Sequence, residues 1–254
     1  MVREAAYVLN TIARTGKVLD LFTADRPEWG VTAVAAQLQL PKSTTFDIMA
    51  SLAAIGLLQQ ASGDRYRLGW RVLLISRRLM SSSCFDANTN RCVVALAHRL
   101  SAVVTVGAWD GQGVVCITSA SPDRSQPIVT DGLHISGHTS ALGKLLMAQL
   151  PWQAVEELID RNGLPRFTEN SVVDVNDLRA QLISAQRDDV AIEHGETYPD
   201  QSCIAVGIHQ RDRRAIAALS ISAPTERLMN RREAYFRIAR RTARSLVQNE
   251  VPSR

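Results

Sequence analysis

Serine and histidine side chains in the last two-thirds of the chain are the residues whose types could perform hydrolysis. Two serines that could act as nucleophiles share this region with histidines that could act as bases; the candidates are Ser140, Ser202, His134, His138, His194 and His209. An activated serine needs a G-x-S-x-G turn between a strand and a helix, or a Ser, His and acid in a recognised order. The sequence contains neither pattern, so we expect a protein that is not an enzyme.

A metal site is the second chemistry that these side chains could support. His134, His138 and Cys203 could together bind a metal ion, because two histidines four residues apart suit a helix. The intervening Ile-Ser-Gly at 135–137 favours a loop, so a structural or hydrogen-bonding role is the favoured alternative. The Gly-Lys pair at 143–144 lacks the upstream glycine of a phosphate-binding loop. The sequence therefore predicts neither a bound metal nor a cofactor.

A lysine followed by short hydroxyl side chains marks a segment that suits nucleic acid. The segment is Lys42-Ser43-Thr44-Thr45-Phe46-Asp47, directly after a proline. Hydroxyl groups can contact bases or phosphates, a lysine lies well near the phosphate backbone, and the free amides at a helix start attract an anion. The alternative is that these residues form only the N-cap of a helix.

Apolar residues at a helical period predict the elements that carry this segment. They indicate a helix over Val8–Phe22, a short helix that Thr32 caps and that ends near Gln39, and a third helix over Lys42–Ile55. Two short strands around a Ser-Gly-Asp turn come next. The inner face of the third helix is predicted from four residues at i, i+3 and i+4 spacing: Phe46, Met49, Leu52 and Ala53.

Helix, helix, turn, helix and hairpin is the order of a winged helix-turn-helix. In that motif the second of the paired helices lies in the major groove and presents its first side chains to base edges. The hairpin would form a wing whose arginines contact flanking DNA, although such arginines can also be plain solvated surface. We therefore expect DNA contacts from nine residues: Thr32, Lys42, Ser43, Thr44, Thr45, Phe46, Asp47, Arg65 and Arg67.

The rest of the chain predicts a bridging helix and a separate α+β domain. The bridging helix covers Trp70–Met80, and three serines at 81–83 mark the boundary. Beyond them, strands at 103–108, 114–119, 190–192, 203–208 and 216–221 mix with helices at 89–100, 141–150, 153–159, 176–187 and 225–248. Strand pairs that precede and follow helices indicate an antiparallel sheet with helices on its faces.

Composition and charge agree with this division. The 254 residues are 46% hydrophobic and carry a net charge of +4, which excludes a disordered or fibrous protein. Residues 1–80 hold ten basic and six acidic side chains, so the excess charge lies in the first third, as in a nucleic-acid reader joined to a neutral domain. No apolar run could span a bilayer, and no signal peptide is recognisable. Four separated cysteines indicate reduced thiols, so we expect a cytoplasmic protein.

Over nearly its full length, the sequence resembles the IclR family of bacterial transcriptional regulators. The resemblance rests on Leu-Pro-Lys-Ser-Thr at 40–44, Gly-Leu-Leu at 56–58, Tyr-Arg-Leu-Gly at 66–69, His-Thr-Ser-Ala-Leu-Gly-Lys at 138–144, Cys-Ile-Ala at 203–205 and Ala-Ala-Leu-Ser-Ile-Ser at 217–222. It implies a winged helix-turn-helix at 1–69, a linker helix at 70–83 and a GAF-like effector-binding domain at 84–254. It also implies a homodimer or a dimer of dimers on a double-stranded DNA operator.

Two positions depart from the family pattern. Phe46-Asp47 stands where members often have His-Arg, and a carboxylate facing DNA would repel phosphate or accept a hydrogen bond from a cytosine amino group. We therefore expect an unusual operator. Gln39 occupies a turn where many members have glycine, which costs roughly 1 kcal/mol if the residue takes a positive φ.

The resemblance also implies a ligand cavity in the larger domain. Carried over position by position, it assigns the cavity to Arg124, Pro127, Ile135, Ala141, Leu142, Glu193, Gln201, Cys203, Ser220 and Ser222. A carboxylate would be bound by the helix amides that follow Ser140 and by the hydroxyl groups of Ser220 and Ser222. The apolar residues of the cavity would contact a ring or a short carbon chain. We expect a small organic acid, aromatic or keto, that controls a repressor of a catabolic operon. Two alternatives remain open. Individual residues of this set could serve only in packing, and the protein could be a sensor or enzyme without DNA binding.

Overall fold

The computed structural model of the chain describes residues 9–83, 85, 87–123, 134–209 and 215–248. The chain divides into two compact units, Met1–Ser82 and Ser83–Arg254. No helix within the described ranges is long and apolar enough to cross a membrane.

The first unit is a winged helix-turn-helix, as predicted. Its elements are α1 (Asn10–Asp20), β1 (Trp29–Gly30), α2 (Val31–Leu38), α3 (Lys42–Ala54), β2 (Leu58–Gln60), β3 (Arg65–Leu68) and α4 (Arg71–Ser82). The three strands form an antiparallel sheet in the order β1-β3-β2. Strand β1 was not predicted from the sequence, because two residues are too few to show an alternating pattern.

The turn between α2 and α3 is made by a residue with left-handed backbone geometry. Gln39 has φ 52° and ψ 44°, so the cost of roughly 1 kcal/mol for a side chain in this conformation applies. The prediction that Thr32 caps α2 is wrong. Gly30 occupies the N-cap position without a side-chain hydrogen bond, and Thr32 lies exposed inside the first turn.

The inner face of α3 differs from the predicted one at its N-terminal end. Phe46 is 53% exposed, whereas Thr45 is fully buried. The Thr45 hydroxyl donates to the carbonyl oxygen of Pro41 at 3.0 Å, so its polar group is satisfied and its methyl group can pack. Ile48, Met49 and Leu52 complete the buried face of the helix.

The wing and α4 are connected to α3 by close backbone contacts. Leu58 pairs with Leu68 and Gln60 with Tyr66 across the hairpin. A Cβ at Gly69 would lie only 2.2 Å from the carbonyl oxygen of Gly56, so only glycine fits here. At the start of α4, Arg71 Nη1 donates to the carbonyl oxygen of Ile55 at 2.7 Å, just after α3 ends.

The second unit is an α+β domain. Its elements are α5 (Ala87–Leu100), β4 (Val103–Trp109), β5 (Val114–Ala120), β6 (His134–Ile135), α6 (Ala141–Met147), α7 (Trp152–Asn162), α8 (Val175–Asp188), β7 (Val190–His194), β8 (Gln201–His209), β9 (Ala215–Pro224), α9 (Thr225–Asn230) and α10 (Arg232–Gln248). The single predicted helix over 225–248 is two helices, because the backbone leaves helical geometry at Arg231 (φ −122°, ψ 18°).

The described strands of this unit form one antiparallel sheet in the order β6-β5-β4-β9-β8-β7. Alternation along the strands gives the sheet two faces. Ala205 and Ala218 share a core with α6, α7 and α8, while their chain neighbours Ile204 and Leu219 point to the opposite face, where α5 and α10 pack against the sheet. The antiparallel sheet with helices on its faces confirms the predicted fold class.

Candidate functional site

The outward face of α3 carries most of the side chains predicted to contact DNA. Lys42, Ser43, Phe46 and Asp47 are exposed and Thr44 is half-buried. With 3.6 residues per turn, Ser43 and Asp47 lie one above the other in the middle of this face, and Phe46 lies beside them. Thr45 points inward, so the structure contradicts its prediction as a DNA-contacting side chain.

The two wing arginines lie on one face of β3. Arg65 and Arg67 are exposed on either side of the buried Tyr66. Arg65 Nη1 lies 4.0 Å from Glu28 Oε2, with 61% of the arginine side chain exposed. An ion pair this open is weak, so it leaves the guanidinium able to exchange Glu28 for a phosphate.

A cavity of about 330 Å³ lies on the α6 face of the large sheet. The strand register forms its floor, because directly paired residues point to the same side. Cys203 pairs with Glu193 on one neighbouring strand and with Ser222 on the other. Ser220 pairs in turn with Thr105. Polar groups from four strands therefore converge on one concave surface, as in most small-molecule sites.

Seven of the ten predicted cavity residues line this space: Ile135, Leu142, Glu193, Gln201, Cys203, Ser220 and Ser222. Ala141 does not; it is completely buried in the core behind the cavity. Arg124 and Pro127 lie outside the described residues. Seven further residues line the cavity that were not predicted from the sequence: Val103, Thr105, Ser136, Ser140, Phe167, Thr197 and Tyr198.

At the N-terminus of α6, which the sequence analysis assigned to a carboxylate, the structure shows one of the first amides already paired. Ser140 caps the helix, and its hydroxyl oxygen accepts a hydrogen bond from the Gly143 amide at 2.9 Å. A Cβ on Gly143 would meet the carbonyl oxygen of Gly137 at 2.3 Å, so the preceding loop packs directly on the helix. The Gly143 amide is therefore paired within the protein.

A buried ion pair that the sequence analysis missed stands behind the cavity. The Lys144 ammonium donates to Glu196 Oε1, and both side chains are almost wholly buried. Burial lowers the pKa of Lys144, and the hydrogen bond from its carboxylate partner opposes that shift. The two residues are 52 positions apart, so no local pattern could have revealed the pair. It fixes α6 to the turn after β7.

Glu193 is the acidic residue among the described residues of the cavity wall. Its side chain is buried, and Oε2 accepts a hydrogen bond from the Glu196 amide at 2.9 Å. Burial raises the pKa of Glu193 to about 7, and the charge on Glu196 adds to the rise while Lys144 opposes it. Burial also raises the pKa of the Cys203 thiol, and the charge on Glu193 adds to that shift. Near neutral pH the wall therefore holds a carboxyl that is partly protonated.

His138 has the hydrogen-bonding role that the sequence favoured over metal binding. Its Nε2 lies 3.0 Å from the carbonyl oxygen of Pro165, and its Nδ1 lies 3.3 Å from the Ser136 hydroxyl. Burial lowers its pKa. Among the described residues, no group of three His, Cys, Asp or Glu side chains is placed to hold a metal ion.

Family models match both units of the chain. The model of the IclR helix-turn-helix domain matches residues 11–62, and the model of the C-terminal part of bacterial IclR transcriptional regulators matches residues 81–248. The chain belongs to the IclR family. It is a DNA-binding transcriptional regulator and not an enzyme.

Curated relatives cover most of the chain. The regulator XynR of Escherichia coli is 24% identical over 91% of this chain and 92% of its own length. The glycerol operon regulatory protein of Streptomyces coelicolor is 28% identical over 87% of each chain. The repressor AllR of Klebsiella pneumoniae is 27% identical over 85% of this chain and 80% of its own.

Solved structures share the fold. An IclR regulator from Silicibacter superposes with a TM-score of 0.83 at 21% identity, covering 94% of this chain and 95% of its own. An IclR homologue from Microbacterium hydrocarbonoxydans, solved with 4-hydroxybenzoate, superposes with a TM-score of 0.72 at 23% identity, covering 94% and 98%. At these identities the likeness concerns the fold.

Proposed function

We propose that this protein represses a catabolic operon and leaves its operator when a small organic acid binds in the 330 Å³ cavity. The observation that carries the proposal is the convergence of polar side chains from four strands on one concave space beside apolar walls. A relative named as a repressor and a homologue bound to 4-hydroxybenzoate support it. An operator-binding protein works on the chromosome, so we assign it to the cytoplasm.

For DNA binding, we propose that α3 lies in the major groove and the hairpin contacts the flanking backbone. Lys42, Ser43, Thr44 and Asp47 would face the groove, and Arg65 and Arg67 would neutralise phosphates. Thr32, exposed at the start of α2, would contact the backbone. A homodimer or dimer of dimers would place two recognition helices in successive major grooves. The exposed apolar residues of α4, such as Leu73 and Leu79, suit such pairing.

For effector binding, we propose that the hydroxyl groups of Ser220 and Ser222 and the Gln201 amide hold the polar end of the acid, while Leu142 and Ile135 contact its carbon skeleton. The ligand can change DNA affinity only if it binds the DNA-competent arrangement less well than the other. A 100-fold difference in affinity would supply about 2.7 kcal/mol. The linker α4 would transmit the change.

Mobility shifts on DNA from upstream of the protein's own coding region test the DNA side. Arg65→Ala should weaken binding to every sequence and reduce the salt dependence, whereas Thr44→Ala should alter base preference. Arg161→Ala, which removes an exposed arginine from α7, is the matched control and should change neither. No sequence-specific shift under any ligand condition would contradict the proposal.

A thermal-shift screen with aromatic and aliphatic acids tests the effector side. A ligand at about 100 times its dissociation constant adds about 2.7 kcal/mol to the stability of the domain that binds it. Ser220→Ala and Ser222→Ala should reduce the shift, while Ser184→Ala on the exposed surface of α8 should not. An acid that stabilises the protein equally in all three variants would show that it binds elsewhere.

A further inference from the structure

Two side chains on the outward face of α3 are not needed to hold the helix in place. Phe46 is apolar yet 53% exposed. Asp47 is exposed, and it forms no hydrogen bond or ion pair within the described part of the chain. The core of the first unit is filled from the other side of the helix by Ile48, Met49 and Leu52. The exposure of both residues therefore leaves their side chains accessible to a partner such as DNA.

We propose that Asp47 and Phe46 determine base specificity, Asp47 by selecting a cytosine and Phe46 by selecting a thymine in each operator half-site. The inference rests on the proposed docking of α3 in the major groove. Asp47 lies one helical turn from Ser43 in the middle of the outward face, and Phe46 lies beside it. Both side chains would therefore meet the same short stretch of the groove, and the two bases should be close neighbours.

The chemistry of the groove edges explains the choice of cytosine. An ionised carboxylate has acceptors only. Cytosine presents its N4 amino group as a donor, guanine presents the acceptors N7 and O6, and thymine presents the acceptor O4. Adenine offers a donor at N6 but places the acceptor N7 beside it, which repels the second carboxylate oxygen. Cytosine is thus the base whose edge offers a carboxylate a donor without an acceptor beside it.

An acid in this position also lowers affinity for all other sequences. DNA presents a dense row of phosphates, and an unpaired carboxylate in the groove is repelled by them. Only a base that donates to Asp47 compensates that repulsion, so the residue acts against wrong sites as much as for the right one. Lys42 and the wing arginines supply the attraction that is independent of sequence.

The thymine methyl explains the exposed aromatic ring. It is the apolar group that base edges present in the major groove, and apolar side chains including phenylalanine contact it. A ring that is half exposed in the free protein gains burial when it covers this methyl group. Cytosine and guanine offer Phe46 no such contact.

Selection of binding sites from random duplex DNA by the full-length protein tests the proposal. The wild-type sites should contain a cytosine and a thymine close together in each half-site. Asp47→Asn should move the cytosine preference to adenine, because an amide matches N6 and N7 of adenine. Phe46→Ala should lose the thymine preference. Asp25→Asn, which removes an exposed acid outside α3, should select the wild-type sequence.

Removal of one methyl group from the DNA isolates the role of Phe46. Replacing the selected thymine with uracil removes only the methyl group, and wild-type affinity should fall on the order of fourfold. The Phe46→Ala protein should bind both duplexes equally. The inference is overturned if Asp47→Asn and Phe46→Ala both select the wild-type sequence. It is also overturned if the wild-type protein binds the uracil duplex as tightly as the thymine duplex. In either case the proposed function as a DNA-binding regulator remains valid. If the wild-type protein enriches no sequence at all, the proposed function fails as well.

Discussion

Glu193→Gln should stabilise the protein at high pH and much less at low pH. Glutamine keeps the shape of the side chain and an oxygen that can accept the 2.9 Å hydrogen bond from the Glu196 amide. It cannot ionise. The substitution therefore removes one property of Glu193, the free-energy cost of placing a charge in the cavity wall.

The size and sign of the effect follow from the two pKa values. Glu193 has an ordinary pKa of 4.5 and a pKa of about 7 in the folded protein. A tenfold change in proton affinity corresponds to about 1.4 kcal/mol, so the difference amounts to about 3 kcal/mol. Between these values the folded state holds a proton that the unfolded state has lost. The wild-type free energy of unfolding therefore falls as pH rises through this window, and it stays low above pH 7.

Urea denaturation at a series of pH values measures the effect. From about pH 4.5 to about pH 8.5, the stability of Glu193→Gln relative to wild type should rise by about 3 kcal/mol. Glu157→Gln, which alters an exposed acid on α7, should show no such rise. A difference between Glu193→Gln and wild type that stays constant across this range would refute the reasoning, because it would mean that Glu193 ionises as easily in the folded as in the unfolded chain.

Three other substitutions test features of the fold. Gly143→Ala should lower the free energy of unfolding by about 1–3 kcal/mol, since the new methyl group would overlap the backbone of residues 136–137; a thermal melt measures the loss. Lys144→Ala should cost about 3–5 kcal/mol by leaving Glu196 buried without its cation, whereas Lys144→Ala with Glu196→Gln should recover part of that loss in the same denaturation assay. Gln39→Gly should stabilise the first unit by up to roughly 1 kcal/mol, because φ is 52° there, and a stability equal to wild type would show that the turn is unstrained.

The sequence predicted the order of the main elements because most of them carry a clear period. It placed α3 within a residue of its observed ends but assigned Phe46 to the inner face, because apolarity alone cannot show that a threonine will satisfy its hydroxyl on the backbone and take the buried position. The break between α9 and α10 at Arg231 has no proline or glycine to mark it. Strand β6 has two residues and therefore no detectable alternation.

Part of the cavity lining was predicted from the resemblance, and the register of the strands explains which part. Residues that the resemblance assigned on β7, β8 and β9 line it, because strand register fixes which side chains share a face. Thr105 joins them through its pairing with Ser220, and a pairing between distant strands cannot be read from either strand alone. Ala141 was misassigned because the helix rotates it into the core.

The buried pair of Lys144 and Glu196 restricts which substitutions this chain can accept at these two positions. If one partner is replaced alone, the charge of the other stays buried without its counter-ion. A protein with that single substitution would have a severe folding defect. Joint replacement by apolar residues of similar volume carries no such defect. Exchange of the pair thus demands two coordinated substitutions, and lineages that retain one member should retain both. In an alignment of relatives, the two columns should change together or not at all.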